Sequence, residues 1–278
     1  AAPGGRRAVG GEQFDALLPP IVDKLRVDGT ATSGGFTLGL AAGSKPAVAA
    51  RVDELTGEYT LARRILDARG QAALYSGRLD FTARSDLAKA QPDHHLTLSG
   101  RDLLLTAELA DIIRRIVPFF GIPLGEIEGK FGADADLTAR GRDKASILAT
   151  MAGNGTLSMP EDVRIRLPAF LRLPAGMGDL RFGRMAGTFT IADGTVNSQA
   201  TFTAPDLVLK LAGTTELPEP QRIDYRLALS GAKVPGELAR FLGKDGQLPI
   251  GISGTLFDLK PKVYKSDLLN PLLDLFLR

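Results

Sequence analysis

The chain has 278 residues, of which 44% are hydrophobic and 24% charged, and this balance excludes an intrinsically disordered protein. Its 34 basic and 32 acidic residues give a formal net charge of +2 without a long single-sign run, so the composition indicates neither nucleic acid nor an anionic membrane surface as a partner. The sequence contains no cysteine, which excludes disulfides, thiol catalysis and cysteine-ligated metals. No stretch approaches the ~20 apolar residues of a membrane span, so we expect this chain to be soluble or peripheral, with any anchor lying outside it.

The first 92 residues predict a leading helix followed by strands. Residues 12–25 place apolar side chains at helical spacing, although Pro19 and Pro20 must kink or break that helix. Strands are predicted at residues 36–42, 47–52 and 72–83, and residues 58–69 fit either a strand or a helix. This N-terminal β-rich region, residues 1–92, is either a separate domain or the first part of a larger sheet.

The next segment alternates strands with short helices. A strand at residues 94–106 leads to a helix at residues 109–117, which Thr106 can cap and which carries one apolar stripe. Further elements are a strand at residues 129–141, a helix at residues 143–151, strands at residues 155–159 and 163–167, and a Pro/Gly-rich connection at residues 168–178.

Residues 181–263 predict a series of short strands separated by Gly-containing turns. Apolar residues take every second position in residues 222–230, and residues 192–203 show the same period after the turn at Asp193-Gly194. Because successive side chains on a strand point to opposite faces, this pattern predicts an extended antiparallel sheet with one apolar face. A helix at residues 235–242 interrupts the series, and strands at residues 248–256 and 259–264 end it.

The last predicted element is an apolar helix at residues 266–277. Ser266 can cap it, and leucines crowd most of its surface. Such a helix either caps the end of the sheet or lies at a bilayer interface, and its weak positive charge favours capping.

Residues able to carry catalysis or bind a metal are scarce. His94 and His95 are adjacent, so on a strand they point to opposite faces and cannot chelate one ion together. Asp134 and Asp136 share a face and could bind calcium, but no loop supplies the remaining oxygen ligands, which favours a solvated outer face. No nucleophile elbow or phosphate-binding loop occurs, and the histidines have no evident serine partner. We therefore expect no enzymatic activity, no cofactor and no metal.

Several stretches carry the strand and turn patterns of one known family in the same order. They are a strand at residues 135–141, a small helix at residues 144–151, a Gly-x-Gly-x-Leu strand at residues 153–159, a hairpin at residues 185–196, a strand at residues 204–214 and a closing Gly-Thr motif at residues 252–261. In this order the elements resemble the C-terminal region of the AsmA family of bacterial envelope proteins, relatives of TamB and of the bridge-like lipid carriers. The resemblance begins at about Leu96, and we assign residues 93–278 to an AsmA-like C-terminal domain.

The resemblance implies a long curved antiparallel sheet that forms an open hydrophobic groove, β-taco-like in shape, in which lipid acyl chains are held or moved between membranes. It also implies a place in the periplasm or cell envelope, with the full-length protein associated with a membrane. Members of the family usually begin with a transmembrane anchor, which this chain lacks, and residues 1–92 match none of the family's patterns.

The sequence thus predicts a mainly β protein with a few short helices, acting as a non-enzymatic module that binds or transfers phospholipid or another acyl lipid. Strands with one apolar face need a cover, and the predicted helices are too few and too short to provide it. The alternative is a structural or protein-binding β-sandwich domain, in which a second sheet provides the cover. The residues expected to line a lipid groove, or else to pack in an ordinary core, are Phe131, Leu137, Val196, Phe202, Ile223, Tyr225, Leu227, Leu229, Ile250 and Ile252.

Overall fold

The computed structural model describes residues 25–40, 48–106, 109, 126–166, 179–231, 248–255 and 258–262. The predicted helices at residues 12–25, 109–117, 235–242 and 266–277 lie outside these residues apart from Leu25 and Leu109, as does the connection at residues 168–178. The strands are β1 (Arg26–Ser33), β2 (Phe36–Leu40), β3 (Val48–Val52), β4 (Glu54–Ala62), β5 (Ile65–Leu74), β6 (Gly77–Asp86), β7 (Asp93–Leu105), β8 (Glu126–Arg140), β9 (Ala152–Met159), β10 (Val163–Arg166), β11 (Asp179–Phe182), β12 (Arg184–Ala192), β13 (Thr195–Ala204), β14 (Leu207–Glu216), β15 (Arg222–Ser230), β16 (Leu248–Thr255) and β17 (Asp258–Lys262), and the one helix of at least a full turn in the same residues is α1 (Lys144–Thr150).

Fifteen of these strands form one antiparallel sheet. The strand order is β1-β4-β5-β6-β7-β8-β9-β12-β13-β14-β15-β16-β17, while β2 and β3 form a separate hairpin. Strand β8 is long enough to pair with two strands on one side, with β9 through Gly132–Thr138 and with β10 through Glu126–Glu128. The predicted fold class, a mainly β protein built on a long open antiparallel sheet, is confirmed.

The sheet runs across the predicted boundary between residues 92 and 93. Strand β6 pairs with β7 from Arg78 opposite Arg101 to Asp86 opposite Asp93. Strands from residues 1–92 and from residues 93–278 are therefore hydrogen-bonded neighbours.

One prediction for the N-terminal region is wrong, and one alternative that the sequence left open is resolved. Residues 72–83 are not one strand, because a turn at Tyr75-Ser76 divides them between β5 and β6. The ambiguous residues 58–69 contain no helix and belong to β4, a turn at Arg63-Arg64, and β5. Strand β1 was not predicted at all.

One face of the sheet is apolar on the successive strands from β4 to β15 of the main order. Cross-strand partners share a face, so the register identifies it: one row runs Leu55, Ala72, Leu79, Gly100, Ala133, Leu157, Gly187, Ala200, Leu211 and Leu227. We call this the inner face. The opposite, outer face carries threonine and charged side chains, for example Glu58, Arg69 and Thr82 in one row.

Burial of the inner face changes along the strand order. From β9 to β16 its large side chains are nearly all excluded from solvent and belong to one hydrophobic cluster. On β1 and β4–β8 most of its large side chains are only half-buried, and Tyr59 is 40% exposed. We call these the covered half and the accessible half of the inner face.

The β10–β11 hairpin provides part of the cover. Its side chains Val163, Ile165, Leu180 and Phe182 are buried in the same cluster, and the ring centroid of Phe182 lies 5.5 Å from that of Phe202 on β13. Burial of four such side chains stabilises the closed arrangement by about 6–12 kcal/mol in total. The covered half is therefore a packed core of the fold.

Candidate functional site

The structure places most of the predicted groove residues in the covered half. Seven of the ten lie there and are at most 4% exposed, namely Val196, Phe202, Ile223, Tyr225, Leu227, Leu229 and Ile252, and Phe131 on the neighbouring strand β8 is also 4% exposed and belongs to the same cluster. Leu137 is half-buried on β8, and Ile250 lies in β16 in register with Leu227. Other residues of the chain pack against those eight side chains, as in the ordinary-core alternative given above for the same residues.

The accessible half presents a different set of apolar side chains, which the sequence reasoning did not select. These half-buried residues are Leu55, Leu61, Leu66, Leu79, Phe81, Leu96 and Leu98, together with Leu137. They occupy neighbouring positions on β4–β8, as the register shows for Phe81 beside Leu98 and for Leu96 beside Leu137. Alternation of apolar and polar residues in β4 and β6 was the signal that could have identified them.

Glycines make this surface shallow near its middle. Gly57 on β4 and Gly70 on β5 are cross-strand partners on the inner face, and both are half-buried, so no side chain projects from the sheet at these two positions. The ring of Phe81 reaches over Gly70, where an added Cβ would lie 2.8 Å from the end of the ring. A hydrocarbon chain could contact the backbone along this strip while Phe81 and Leu98 flank it.

The outer face of the same strands is polar, and ion pairs join several of its charged side chains. The Arg84 guanidinium donates to the Asp67 carboxylate at 2.8 Å, and Arg69 pairs with Glu58. Two depressions of about 850 and 630 Å³ lie on this face, lined largely by such charged residues and by threonines. This environment suits water better than hydrocarbon, so the inner face is the candidate lipid site.

Both histidines have partners. Ser85 and His94 are cross-strand neighbours at the margin of the inner face, with Oγ and Nδ1 3.0 Å apart, and His94 Nε2 lies 2.8 Å from the Gly141 carbonyl oxygen. His95 points to the other face, with Nε2 2.7 Å from Asp136 Oδ1. The predicted separation of the histidines is confirmed, but the Ser85 partner was missed because it depends on the register of the β6–β7 hairpin.

The Ser85–His94 pair has the spacing of a nucleophile and a base. Acyl transfer also requires donors aimed at the developing oxyanion. Ser85 and His94 lie opposite each other within the ladder, where backbone N–H groups serve the sheet. Donation from His94 Nε2 to the Gly141 carbonyl and from Ser85 Oγ to His94 Nδ1 satisfies all three groups, which gives the pair a structural role in the sheet.

Among the described residues, no group of three or more histidine, aspartate or glutamate side chains is placed to hold a metal ion. Within the same ranges no helix has the length and apolar character needed to cross a bilayer. Comparison of the chain with protein-family models, with curated proteins and with solved structures gives no match.

Proposed function

We propose that the chain is a non-enzymatic lipid-binding or lipid-transfer module of a bacterial envelope, and that it holds acyl chains on the accessible half of the inner face. The observation that supports this most is the contrast within one sheet: the covered half is a closed core, whereas the same apolar face remains half-exposed across β4–β8. Apolar surface that stays exposed across several neighbouring strands is typical of interaction sites. The resemblance to the AsmA family supports acyl lipid as the ligand and the periplasm as the location, with the full-length protein associated with a membrane.

The dimensions of the surface suit one acyl chain. Strands β4 to β8 are five consecutive neighbours, so the surface extends across about 19 Å at a spacing of about 4.8 Å. The hydrocarbon of one leaflet is about 15 Å deep, half of a bilayer core. A chain lying across the strands therefore finds apolar contacts along its length.

The energetics favour reversible binding. Contact with roughly ten methylene groups contributes about 8 kcal/mol. Association costs about 4–15 kcal/mol in lost freedom, so the net affinity is modest. A lipid that must be released to another membrane requires such an affinity.

A structural or protein-binding β domain is the second candidate function. The covered half supports it, since a core of this kind is what a scaffold requires. In that case the accessible half is covered by a protein partner instead of hydrocarbon.

Lipid extraction and native mass spectrometry of the purified chain separate the two candidates. We expect copurified phospholipid, and its reproducible absence would favour the scaffold. The variant Leu98→Asp places a charge on the inner face and should lower the recovered lipid. Its matched control is Thr82→Asp on the outer face, where the new carboxylate lies beside Arg69 and lipid recovery should be unchanged.

Fluorescent labelling provides a second measurement if Leu98→Asp fails to fold. The chain has no cysteine, so Leu98→Cys and Thr82→Cys each provide a single site for an environment-sensitive dye. Addition of a fatty acid should shift the emission of the dye at position 98 and leave the dye at position 82 unchanged. Equal responses at both positions would contradict an inner-face site.

A further inference from the structure

Three connections at one end of the accessible half are hydrogen-bonded into a continuous rim. They are the β4–β5 turn at residues 63–64, the β6–β7 connection at residues 87–92 and the β8–α1 connection at residues 141–143. The Leu87 amide donates to the Arg64 carbonyl at 2.8 Å, and the Gly141 amide donates to the Pro92 carbonyl at 3.0 Å. Residues far apart in the sequence therefore form one edge of the inner face.

This rim is strongly basic. With the adjoining ends of β6, β7, β8 and α1 it contains six basic and three acidic residues, a net charge of three against +2 for the whole chain. We call these residues the basic rim: Arg63, Arg64, Asp86, Lys89, Asp93, Arg140, Arg142, Asp143 and Lys144. At the opposite ends of the same strands, Asp53, Glu54 and Asp102 outnumber Arg78 and Arg101.

Part of the positive charge is not neutralised by carboxylates. Lys89 and Arg140 pair with Asp93, and the hydrogen bond from Lys89 lowers the pKa of Asp93 below its usual range. Arg142 instead donates to the Ala90 carbonyl at 2.9 Å and the Lys89 carbonyl at 3.4 Å, which leaves its charge unbalanced. Within the described part of the chain, the side chains of Arg63 and Lys144 make no hydrogen bond or ion pair, and both residues are exposed.

The turn at Arg63-Arg64 is an unusual place for two arginines. Both residues have positive φ angles, 52° and 62°, which glycine and asparagine adopt with much less strain. The fold tolerates this conformation, and the side chain of Arg63 is exposed at the tip of the hairpin while that of Arg64 is half-buried.

Exposed leucines accompany the charges. Leu87 lies within the β6–β7 connection and is 39% exposed. Leu25 lies near the β4–β5 turn, because the next residue, Arg26, is in register with Ala62 on β4. Leu25 is 43% exposed. A cationic edge with protruding apolar side chains is typical of surfaces that bind the interface of an anionic bilayer, whereas a nucleic-acid site would not need the leucines.

We propose that the basic rim binds the anionic headgroups of a phospholipid membrane, with Leu25 and Leu87 in the interface, so that the accessible half of the inner face opens towards the bilayer. The inference rests on the proposed function in one respect, namely that the inner face then takes up an acyl chain. Docking itself depends on the rim alone. Arg63, Arg142 and Lys144 supply the charge that selects anionic over neutral lipid.

Vesicle cosedimentation tests the proposal with the whole chain. Wild-type protein should bind vesicles of phosphatidylcholine mixed with phosphatidylglycerol more tightly than vesicles of phosphatidylcholine alone, and high salt should weaken the binding. The double variant Arg63→Gln/Lys144→Gln should bind the anionic vesicles about thirtyfold more weakly, because each basic residue near such a surface contributes about 1 kcal/mol. The matched control Arg78→Gln/Arg101→Gln removes two charges from the opposite ends of the strands and should bind as the wild type does.

A second pair of variants tests whether the partner is a membrane. Leu87→Ser should weaken vesicle binding about fivefold, while Leu104→Ser, at a residue 41% exposed on β7, should not. Any of three results would overturn the proposal. The first is equal binding to neutral and anionic vesicles, and the second is an equal loss of binding in both charge variants. The third is unchanged binding of Leu87→Ser, which would indicate a site for polyanions in general instead of a membrane surface. Acyl-chain binding measured with the dye at position 98 should persist in the rim variants, so failure of the rim and failure of the lipid site are distinguishable.

Discussion

Truncation of two phenylalanines on the inner face should separate the covered half from the accessible half. Phe202 on β13 is 1% exposed and its ring packs beside Phe182, so Phe202→Ala leaves a cavity that the surrounding side chains cannot fill. We expect a loss of about 3–5 kcal/mol in the free energy of unfolding. Phe81 on β6 is half-buried, and Phe81→Ala opens surface instead of a cavity, so the expected loss is about 1–2 kcal/mol.

Urea unfolding followed by far-UV circular dichroism provides the comparison. The midpoint should fall in both variants with an unchanged m-value, and the shift should be two to three times larger for Phe202→Ala, as the ratio of the two expected losses, roughly 4 to 1.5 kcal/mol, requires. Equal shifts would show that Phe81 is packed as tightly as Phe202. A loss of less than about 1 kcal/mol in the free energy of unfolding for Phe202→Ala would show that the covered half is not a packed core. That result would refute the division of the inner face into two halves.

Four further predictions concern single residues. Tyr225→Phe should cost about 1–3 kcal/mol by leaving the buried Thr215 hydroxyl without its partner, and adding Thr215→Val should recover part of that loss in urea unfolding. Burial raises the pKa of Tyr225 above its ordinary 10.0, so the unfolded chain loses the phenol proton at a lower pH than the folded chain does. The stability should therefore be fully present below pH 10, where the phenol is protonated in both states, and should fall as the pH rises above 10. In a pH series of thermal unfolding, Tyr225→Phe should lose less stability at alkaline pH than the wild type. Gly155→Ala should lower the melting temperature, since the added Cβ would lie 2.3 Å from a backbone oxygen and 2.4 Å from an aromatic ring, whereas Gly34→Ala meets no atom within 4 Å and should be neutral. Ester substrates should not be hydrolysed, and Ser85→Ala should leave any background rate unchanged; a rate that disappears in this variant would contradict the structural role given to the serine.

The strands predicted best from the sequence are those that follow a glycine-containing turn and those in which apolar and polar residues strictly alternate. Residues 222–230 coincide with β15, and the Asp193-Gly194 turn lies between β12 and β13 as expected. In that turn both residues have positive φ, a conformation that glycine adopts without strain. The signal for the hairpin was therefore visible in the residue types.

The first hairpins lack that signal. Tyr75 and Ser76 adopt positive φ angles of 48° and 63° in a turn that contains neither glycine nor asparagine. Ser76-Gly77 is a dipeptide that marks turns, but the apolar residues on both sides of it led to residues 72–83 being predicted as one strand. Pairing of β5 with β6 over ten residue pairs compensates for the strained turn.

Alternation identified the apolar face but could not indicate what covers it. The pattern of Ile223, Leu227 and Leu229 is the same whether β10–β11 packs over the sheet or hydrocarbon does. Cover depends on contacts between distant segments, such as Phe182 with Phe202. For the same reason the predicted groove residues fell in the half that the chain itself buries.

The basic rim was likewise invisible in the sequence. The whole chain is nearly neutral and has no long basic run, so composition gave no reason to expect an anionic membrane as a partner. Three connections separated by more than twenty residues each come together only through the register of β4–β8. Charge clusters of this kind require the sheet topology to be known first.

Photo-crosslinking with a diazirine-bearing fatty acid tests the central claim most directly, because it locates hydrocarbon on the wild-type chain without any substitution. After irradiation and proteolysis, mass spectrometry should find the label on inner-face residues of β4–β8, with Phe81, Leu96 and Leu98 most heavily modified. Label confined to the outer face, or spread over the chain without preference, would contradict an acyl-chain site on the accessible half.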